Sequence, residues 1–309
     1  MKKIILTGFN GFVGQNLSSY LANHPYNILN LGRSLGQNVD YSWDNLDKIE
    51  KEPVDIIIHS AGKAHDLKKT SNPEDYYKIN YELTKELYDA FLNSAAKKFI
   101  FISSVKAAAD TVHGVLTEDE VPLPETDYGK SKLMAEQYIQ TQILPAGKAY
   151  YILRPCMIHG PGNKGNLNLL YQFVQKGIPY PLAAFHNRRS FLSVENLCFV
   201  IRNVIDHDDL PSGIYNVADD EPLSTSEVVR ILAKSSGNKP ILWHIPIGFV
   251  KVLAKIGDFL KLPLNSERLT KMTENYVVSN KKIKNALRID FPKNAMVGLG
   301  VTADSFVKD

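Results

Sequence analysis

Cysteine is nearly absent from this chain: Cys156 and Cys198 are the two in 309 residues. Two thiols at that spacing make neither a metal site nor a disulfide framework. A single disulfide between them stays open, but buried free thiols in a reducing compartment are the expectation. His59, His65, His113, His159, His186, His207 and His244 fall at no metal-ligand spacing, which argues against zinc or iron chemistry. No uninterrupted apolar run is long enough to cross a bilayer. There is also no block of one charge. The net charge is +3 with both signs interspersed, so a nucleic-acid surface is not expected. Strand-like residues begin almost at Met1, which leaves no room for a signal peptide and points to the cytoplasm. What remains is 44% hydrophobic and 22% charged, an ordinary globular balance. The length suits one large or two modest domains.

The segment Lys3 to Gly14, KIILTGFNGFVG, organises the rest. An apolar run, Ile4-Ile5-Leu6, meets Gly8, Gly11 and Gly14, and Gln15 to Leu21 then takes helical spacing. Strand, glycine turn and helix open a dinucleotide-binding βαβ unit. A helix N-terminus offers unpaired N–H groups and partial positive charge to a pyrophosphate. Glycine lets the backbone turn tightly and come close to it.

Further strand and helix patterns alternate. Tyr26–Leu31, Val54–His59, Lys98–Ser103 and Ala149–Leu153 read as strands, the most apolar of them as parallel strands covered on both faces. Tyr76–Leu92 reads as a helix, and Leu133–Gln142 continues a helix that opens near Tyr128. The fold class is α/β, a Rossmann-like doubly wound parallel sheet with a smaller C-terminal α/β region for substrate. After Arg154-Pro155 glycine and proline cluster, so the boundary is indistinct, between about 155 and 180. The expected division is 1–160 for the dinucleotide and 161–309 for the substrate, with strands returning from 185–220. Ser224 begins a helix with an N-cap signal. No repeat beyond the βα alternation and no low-complexity segment is present.

Three local patterns carry chemistry. At the end of the second strand the chain reads Leu31-Gly32-Arg33-Ser34, with no acid to accept from ribose hydroxyls. Arg33 suits a 2′-phosphate and adenine stacking, which favours NADP over NAD. Asp40 is either a turn residue or an acceptor for the adenine amino group. In Tyr128-Gly129-Lys130-Ser131-Lys132, Tyr128 and Lys132 are four apart and share a helix face. A phenol of pKa near ~10 is a poor acid–base group at neutral pH, and an ammonium beside it favours the phenolate. Lys130 sits at the wrong helical phase. Ser103-Ser104 ends the strand KFIFIS at the carboxyl edge, where open α/β sheets bind ligands.

Taken in order, TGFNGFVG (7–14), HSAG (59–62), the Asn80 helix, FISSVK (101–106), YGKSK (128–132), LRPCMIHGPG (153–162) and RRSFLSVEN (188–196) resemble the extended branch of the short-chain dehydrogenase/reductase superfamily. That branch holds nucleotide-sugar epimerases, dehydratases and reductases, and the resemblance covers nearly the whole chain. It implies catalytic roles for Tyr128 as acid/base, Lys132 as its pKa-lowering and ribose-binding partner, and Ser104 as the hydroxyl on the reacting oxygen. It implies cofactor contacts from Gly8, Gly11, Phe12, Val13, Gly14, Arg33, Asp40, Ala61, Gly62, Asn80, Tyr128, Lys132 and Pro155. Substrate contacts fall to Ser104, Lys106, Asn166, Arg189 and Arg268, the arginines facing a diphosphate. Ser190 stands where the family's arginine pattern has an acid, and Met157 where galactose-type epimerases often have a polar contact. No metal is implied.

The reaction implied is C4 epimerisation of a UDP-hexose or UDP-N-acetylhexosamine through a transient 4-keto sugar, with NADP or NAD as cofactor. An NADPH-dependent reductase of a UDP-4-keto sugar is the alternative. Dehydration is disfavoured, because Val105 and Lys106 follow Ser104 in place of the acid pair of dehydratases. An epimerase of a lipid-diphosphate-linked sugar, or a non-catalytic NAD(P)-binding protein, are further alternatives. Family habit suggests a homodimer. Ile245–Leu262, apolar with Lys251, Lys255 and Lys261, reads as a lid or dimer helix in preference to a membrane-surface helix.

Overall fold

Alternate residues of the first strand point to opposite faces of a sheet. Ile4 and Leu6 enter one buried apolar cluster and Ile5 another. The same division holds for Ile56 and Ile58 against Ile57, and for Ile100 and Ile102 against Phe99 and Phe101. A run with no polar position therefore marks a strand covered on both sides. The computed structural model describes residues 1–34, 38–63, 72–163, 165–261 and 265–307.

The strands in chain order are β1 (Lys2–Thr7), β2 (Tyr26–Gly32), β3 (Tyr41–Ser42), β4 (Ile56–His59), β5 (Lys98–Ile102), β6 (Val115–Leu116), β7 (Ala149–Pro155), β8 (Met157–His159), β9 (Phe191–Ser193), β10 (Gly213–Val217) and β11 (Val277–Val278). Seven of them form one sheet in the order β3-β2-β1-β4-β5-β7-β10. Every pairing in it is parallel, with Thr7 opposite His59 and Ile102 opposite Leu153. The order reverses between β1 and β4, which places the switch point beside the glycine turn. Small parallel pairs β8–β9 and β6–β11 lie outside the main sheet.

The helices are α1 (Phe12–Leu21), α2 (Asp47–Lys51), α3 (Pro73–Tyr77), α4 (Leu83–Asn93), α5 (Asp127–Thr141), α6 (Asn166–Gln175), α7 (Val194–Asp206), α8 (Thr225–Ser235), α9 (Ile247–Leu260), α10 (Ser266–Thr273), α11 (Lys281–Leu287) and α12 (Ala295–Ser305). Helices α1, α7 and α11 supply the cluster on one sheet face, and α4 and α5 the cluster on the other. A third cluster joins α6, α8, α9, α10 and α12 beyond the sheet's carboxyl edge.

The expected strands are present with shifted ends. Val54 and Asp55 precede β4, Ser103 leaves β5, and β7 runs on to Pro155. The helix expected over Tyr76–Leu92 is present and runs from Pro73 to Asn93, with a π turn at Lys78–Glu82 between α3 and α4. That turn carries Asn80, whose buried side chain is held by three hydrogen bonds described below. A π turn is a common device where a side chain must be re-aimed at a site. The helix at Ser224 begins with a reciprocal capping box: Ser224 Oγ accepts from the Glu227 N–H, and Glu227 Oε2 accepts from the Ser224 N–H. In Ile245–Leu262 the helical part is α9, and Leu262 lies outside the described residues, as does His65. Cys156 and Cys198 are free and buried.

Candidate active site

The glycine turn has no room for side chains. Gly8 has φ +68°, and a Cβ there would lie 2.5 Å from the Ala61 backbone nitrogen. A Cβ on Gly14 would run into the Gly8 carbonyl. The Gly11 N–H donates to that carbonyl at 2.9 Å, and Gly11 then heads α1. Neither a side-chain cap nor an acid occupies the first turn of α1, so its N–H groups are left to an anion. Phe12 and Val13 pack their partly buried side chains on the sheet. Thr7 Oγ1 takes the Ala61 N–H at 3.0 Å and bonds His59 Nδ1, which binds β1 to β4 under this turn. His59 also bonds Thr84 through Nε2, and burial holds its pKa down at about 3, so it is neutral. These features fit a dinucleotide pyrophosphate.

At the neighbouring strand end, Ser104 and Tyr128 meet. The link is made by Gly129: a Cβ there would run into the Lys106 carbonyl, so only glycine lets α5 seat against the turn that follows Ser104. Thr126 caps α5, its Oγ1 accepting from the Gly129 N–H at 3.2 Å. Ser104 Oγ accepts from the Lys106 N–H at 3.2 Å. Tyr76 stands edge-on to Tyr128, ring centroids 6.2 Å apart. Burial raises the phenol above its ordinary pKa of 10.0, and the neighbouring Ser104 side chain opposes that shift.

Lys132 lies one turn after Tyr128 on the same face of α5. Its Nζ donates to the Ile102 carbonyl at 3.0 Å and lies 4.7 Å from the Phe101 ring centroid. Burial lowers the pKa of Lys132 itself to about 8, against an opposing pull from Glu136. A Cβ on Gly62 would lie 3.1 Å from both Lys132 Nζ and Asn80 Oδ1, so Gly62, Lys132 and Asn80 share one wall.

Asn80, Asp40 and Arg268 have these surroundings. Asn80 is fully buried: Oδ1 accepts from the Lys63 N–H, and Nδ2 donates to the Lys63 carbonyl and to Ser131 Oγ. It braces Lys63, next to Gly62. Asp40 uses Oδ2 to accept the Asn30 N–H at 2.7 Å, while its own N–H donates to the Asn30 carbonyl, which closes the end of β2. Arg268 is exposed on α10, and the cavity wall takes Ser266, Glu267, Thr270, Lys271 and Met272 from the same helix. Arg33 is exposed just past β2, and Pro155 is buried at the end of β7.

Tyr128 opens on a cavity of about 880 Å³. Met157, Asn166, Lys106 and Arg189 line it. Lys271, Thr225 and Asp110 line it too, without a sequence signal; lysines on short polar helices are ordinarily just solvated. Lys106 Nζ lies 4.3 Å from the Tyr276 ring centroid and donates to the Asp110 carbonyl, and burial lowers its pKa. Arg189 Nη1 donates to the Lys271 carbonyl, and Nη2 lies 3.6 Å from Glu274 Oε1. Ser190 is buried and accepts the Val278 N–H at 3.0 Å, tying β11 down.

A second buried network stands behind the serines. Ser103 Oγ donates to Glu136, which is paired with Arg154 through Nε and Nη2. Arg154 and Glu136 are 1% and 0% exposed. This pair joins β5, α5 and β7 directly beneath Ser104 and Lys132. Among the described residues no group of three or more His, Cys, Asp or Glu is placed to hold a metal ion.

A doubly wound sheet, a glycine turn at its switch point and a Ser-Tyr-Lys cluster at the adjoining strand end define a nicotinamide-dinucleotide enzyme. Residues 4–218 match the model of the NAD dependent epimerase/dehydratase family, and the chain belongs to that family. It is an NAD(P)-dependent enzyme. A UDP-glucose 4-epimerase of Vibrio cholerae is 30% identical over 99% of this chain and 96% of its own length. An N-acetyl-alpha-D-glucosaminyl-diphospho-ditrans,octacis-undecaprenol 4-epimerase of Escherichia coli O157:H7 is 25% identical over 91% of this chain and 84% of its own. Among solved structures, a UDP-N-acetylglucosamine 4-epimerase from Bacillus cereus superposes with a TM-score of 0.75 at 21% identity, covering 99% of this chain and 95% of that one.

Proposed function

We propose that the protein is a C4 epimerase of a UDP-hexose or UDP-N-acetylhexosamine. The observation that carries this is the Tyr128 phenol opening on a cavity walled by Lys106, Arg189 and Lys271. A nicotinamide supplies the hydride acceptor and donor at C4, which makes the sugar transiently a 4-ketone. Gly8, Gly11, Gly14, Phe12, Val13, Ala61, Gly62 and Pro155 are the residues that would hold the dinucleotide, with Arg33 at its adenosine end. Tyr128 takes the proton from O4 and returns it after the sugar has turned over. Ser104 hydrogen-bonds the same oxygen and fixes its distance from the phenol. Lys132 stabilises the phenolate electrostatically when it releases the Ile102 carbonyl. Arg189 and Lys271 neutralise the diphosphate, and Asn166 at the start of α6 contacts the nucleotide end. The two 4-epimerase relatives named above support the reaction at C4.

Arg33 favours a second reading. With no acid at the end of β2, an NADPH-dependent reductase of a UDP-4-keto sugar uses the same Ser104, Tyr128 and Lys132. The test is turnover by wild type and Tyr128→Phe. Removing the acid/base group is expected to lower kcat by about 10²–10⁴-fold with the fold intact by circular dichroism. Unchanged activity in the variant rules out the proton-transfer role.

A further inference from the structure

Helix α9 has three stripes. Val250, Ala254 and Gly257 are buried against the third cluster. Lys251, Lys255 and Asp258 form a charged stripe. Phe249, Val252, Leu253, Ile256, Phe259 and Leu260 recur at helical spacing on a third face, and all six are exposed, Phe249 at 58% and Phe259 at 87%. A helix that seals a substrate site buries its apolar face inward. Here the inward face is made of small or few residues and the large apolar ones look out. Nothing among the described residues covers them, and α9 is anchored at its far end by Asp258, which accepts from the N–H and hydroxyl of Ser266 on α10.

We infer that this outer face of α9 docks the enzyme on an anionic membrane surface. Charge complementarity selects that occupant. The lysine stripe flanks one edge of the apolar face and Lys261 caps its C-terminal end, while the carboxylate in the stripe, Asp258, is taken up by Ser266. Long lysine stems lie along apolar surface with the ammonium at headgroup level. A helix of 14 residues with one apolar face lies in the interface and does not span it; no helix of the described residues is long and apolar enough to cross a membrane. Helix α10, next in the chain, lines the substrate cavity, so docking through α9 holds that cavity close to the bilayer.

The test is co-sedimentation of the full chain with phosphatidylglycerol-containing vesicles and with purely zwitterionic ones. Wild type is expected to bind the anionic vesicles, and less so as salt is raised. A Val252→Ser, Ile256→Ser, Phe259→Ser variant is expected to lose tenfold or more of that binding. Lys251→Glu, Lys255→Glu is expected to lose it selectively on anionic vesicles. Both variants keep turnover of a soluble UDP-sugar and the wild-type melting temperature, which separates this result from the catalytic reading. Wild type failing to bind anionic vesicles overturns the inference. So does a dimer in solution that the serine variant dissociates, since α9 is then covered by a second copy.

Discussion

Lys132 shows how one buried charge is handled in this fold. An ammonium at 4% exposure, bonded to the Ile102 carbonyl, binds its proton less tightly than in water, and its pKa falls from 10.5 to about 8. The unfolded chain therefore holds more protons than the folded one between those two values. Stability rises with pH across that window and is flat with respect to this group below it. The shift corresponds to an order of about 3 kcal/mol. Lys132→Met in the cofactor-free protein is expected to remove that rise, read as the difference between wild-type and variant urea midpoints at pH 8 and pH 10. Equal pH dependence in the two proteins contradicts the burial argument. The four-residue spacing of Tyr128 and Lys132 correctly puts them on one face of α5. It says nothing of the Ile102 carbonyl, which lies 30 positions away and takes the ammonium first. The backbone partners of Asp40 and Asn80 are likewise beyond what their sequence neighbourhoods show.

Among the elements, α5 is the one on which the site depends. Its first turn presents Tyr128, its second Lys132 and Ser131, and its third Glu136, which pairs with Arg154 of β7. Breaking such a buried pair is worse than removing it whole, because the survivor is a charge without solvent or partner. Glu136→Leu alone is expected to destabilise by about 3–5 kcal/mol, seen as a lowered urea midpoint. Glu136→Leu with Arg154→Met is expected to recover most of that loss. If the double variant is as unstable as the single, the cost lies in packing and not in the stranded guanidinium. The parallel strands β1, β4 and β5 were legible because burial on both faces leaves an apolar run, and α8 because Ser224 and Glu227 advertise a capping box. The π turn at Lys78–Glu82 was not: its five residues have ordinary helical composition, and the turn coincides with the buried bonds of Asn80 to Lys63 and Ser131, which lie far off in the chain. Helix α9 was legible as apolar, but periodicity alone does not say which of its two apolar stripes meets the core.

In the whole molecule, one cavity joins two halves of the chain. Tyr128 and Lys106 come from the sheet's carboxyl edge, and Arg189, Thr225 and Lys271 from the segments around the third cluster. A sequence pattern places the first set well, since glycine spacing, strand ends and helix phase are local. It places the second set poorly, since the cations that line the cavity sit far apart in the chain and are brought together by packing. Arg189 had a motif to mark it, while Lys271 on α10 had no sequence signal. The central claim is hydride and proton exchange at one sugar carbon, governed by Tyr128. It is tested most directly by proton NMR of UDP-N-acetylglucosamine incubated with the enzyme and a catalytic amount of NAD or NADP in D₂O. The account predicts the C4 epimer, with no solvent deuterium at C4 and no net consumption of cofactor. Deuterium at C4, or no reaction until a 4-keto sugar and NADPH are supplied, contradicts it.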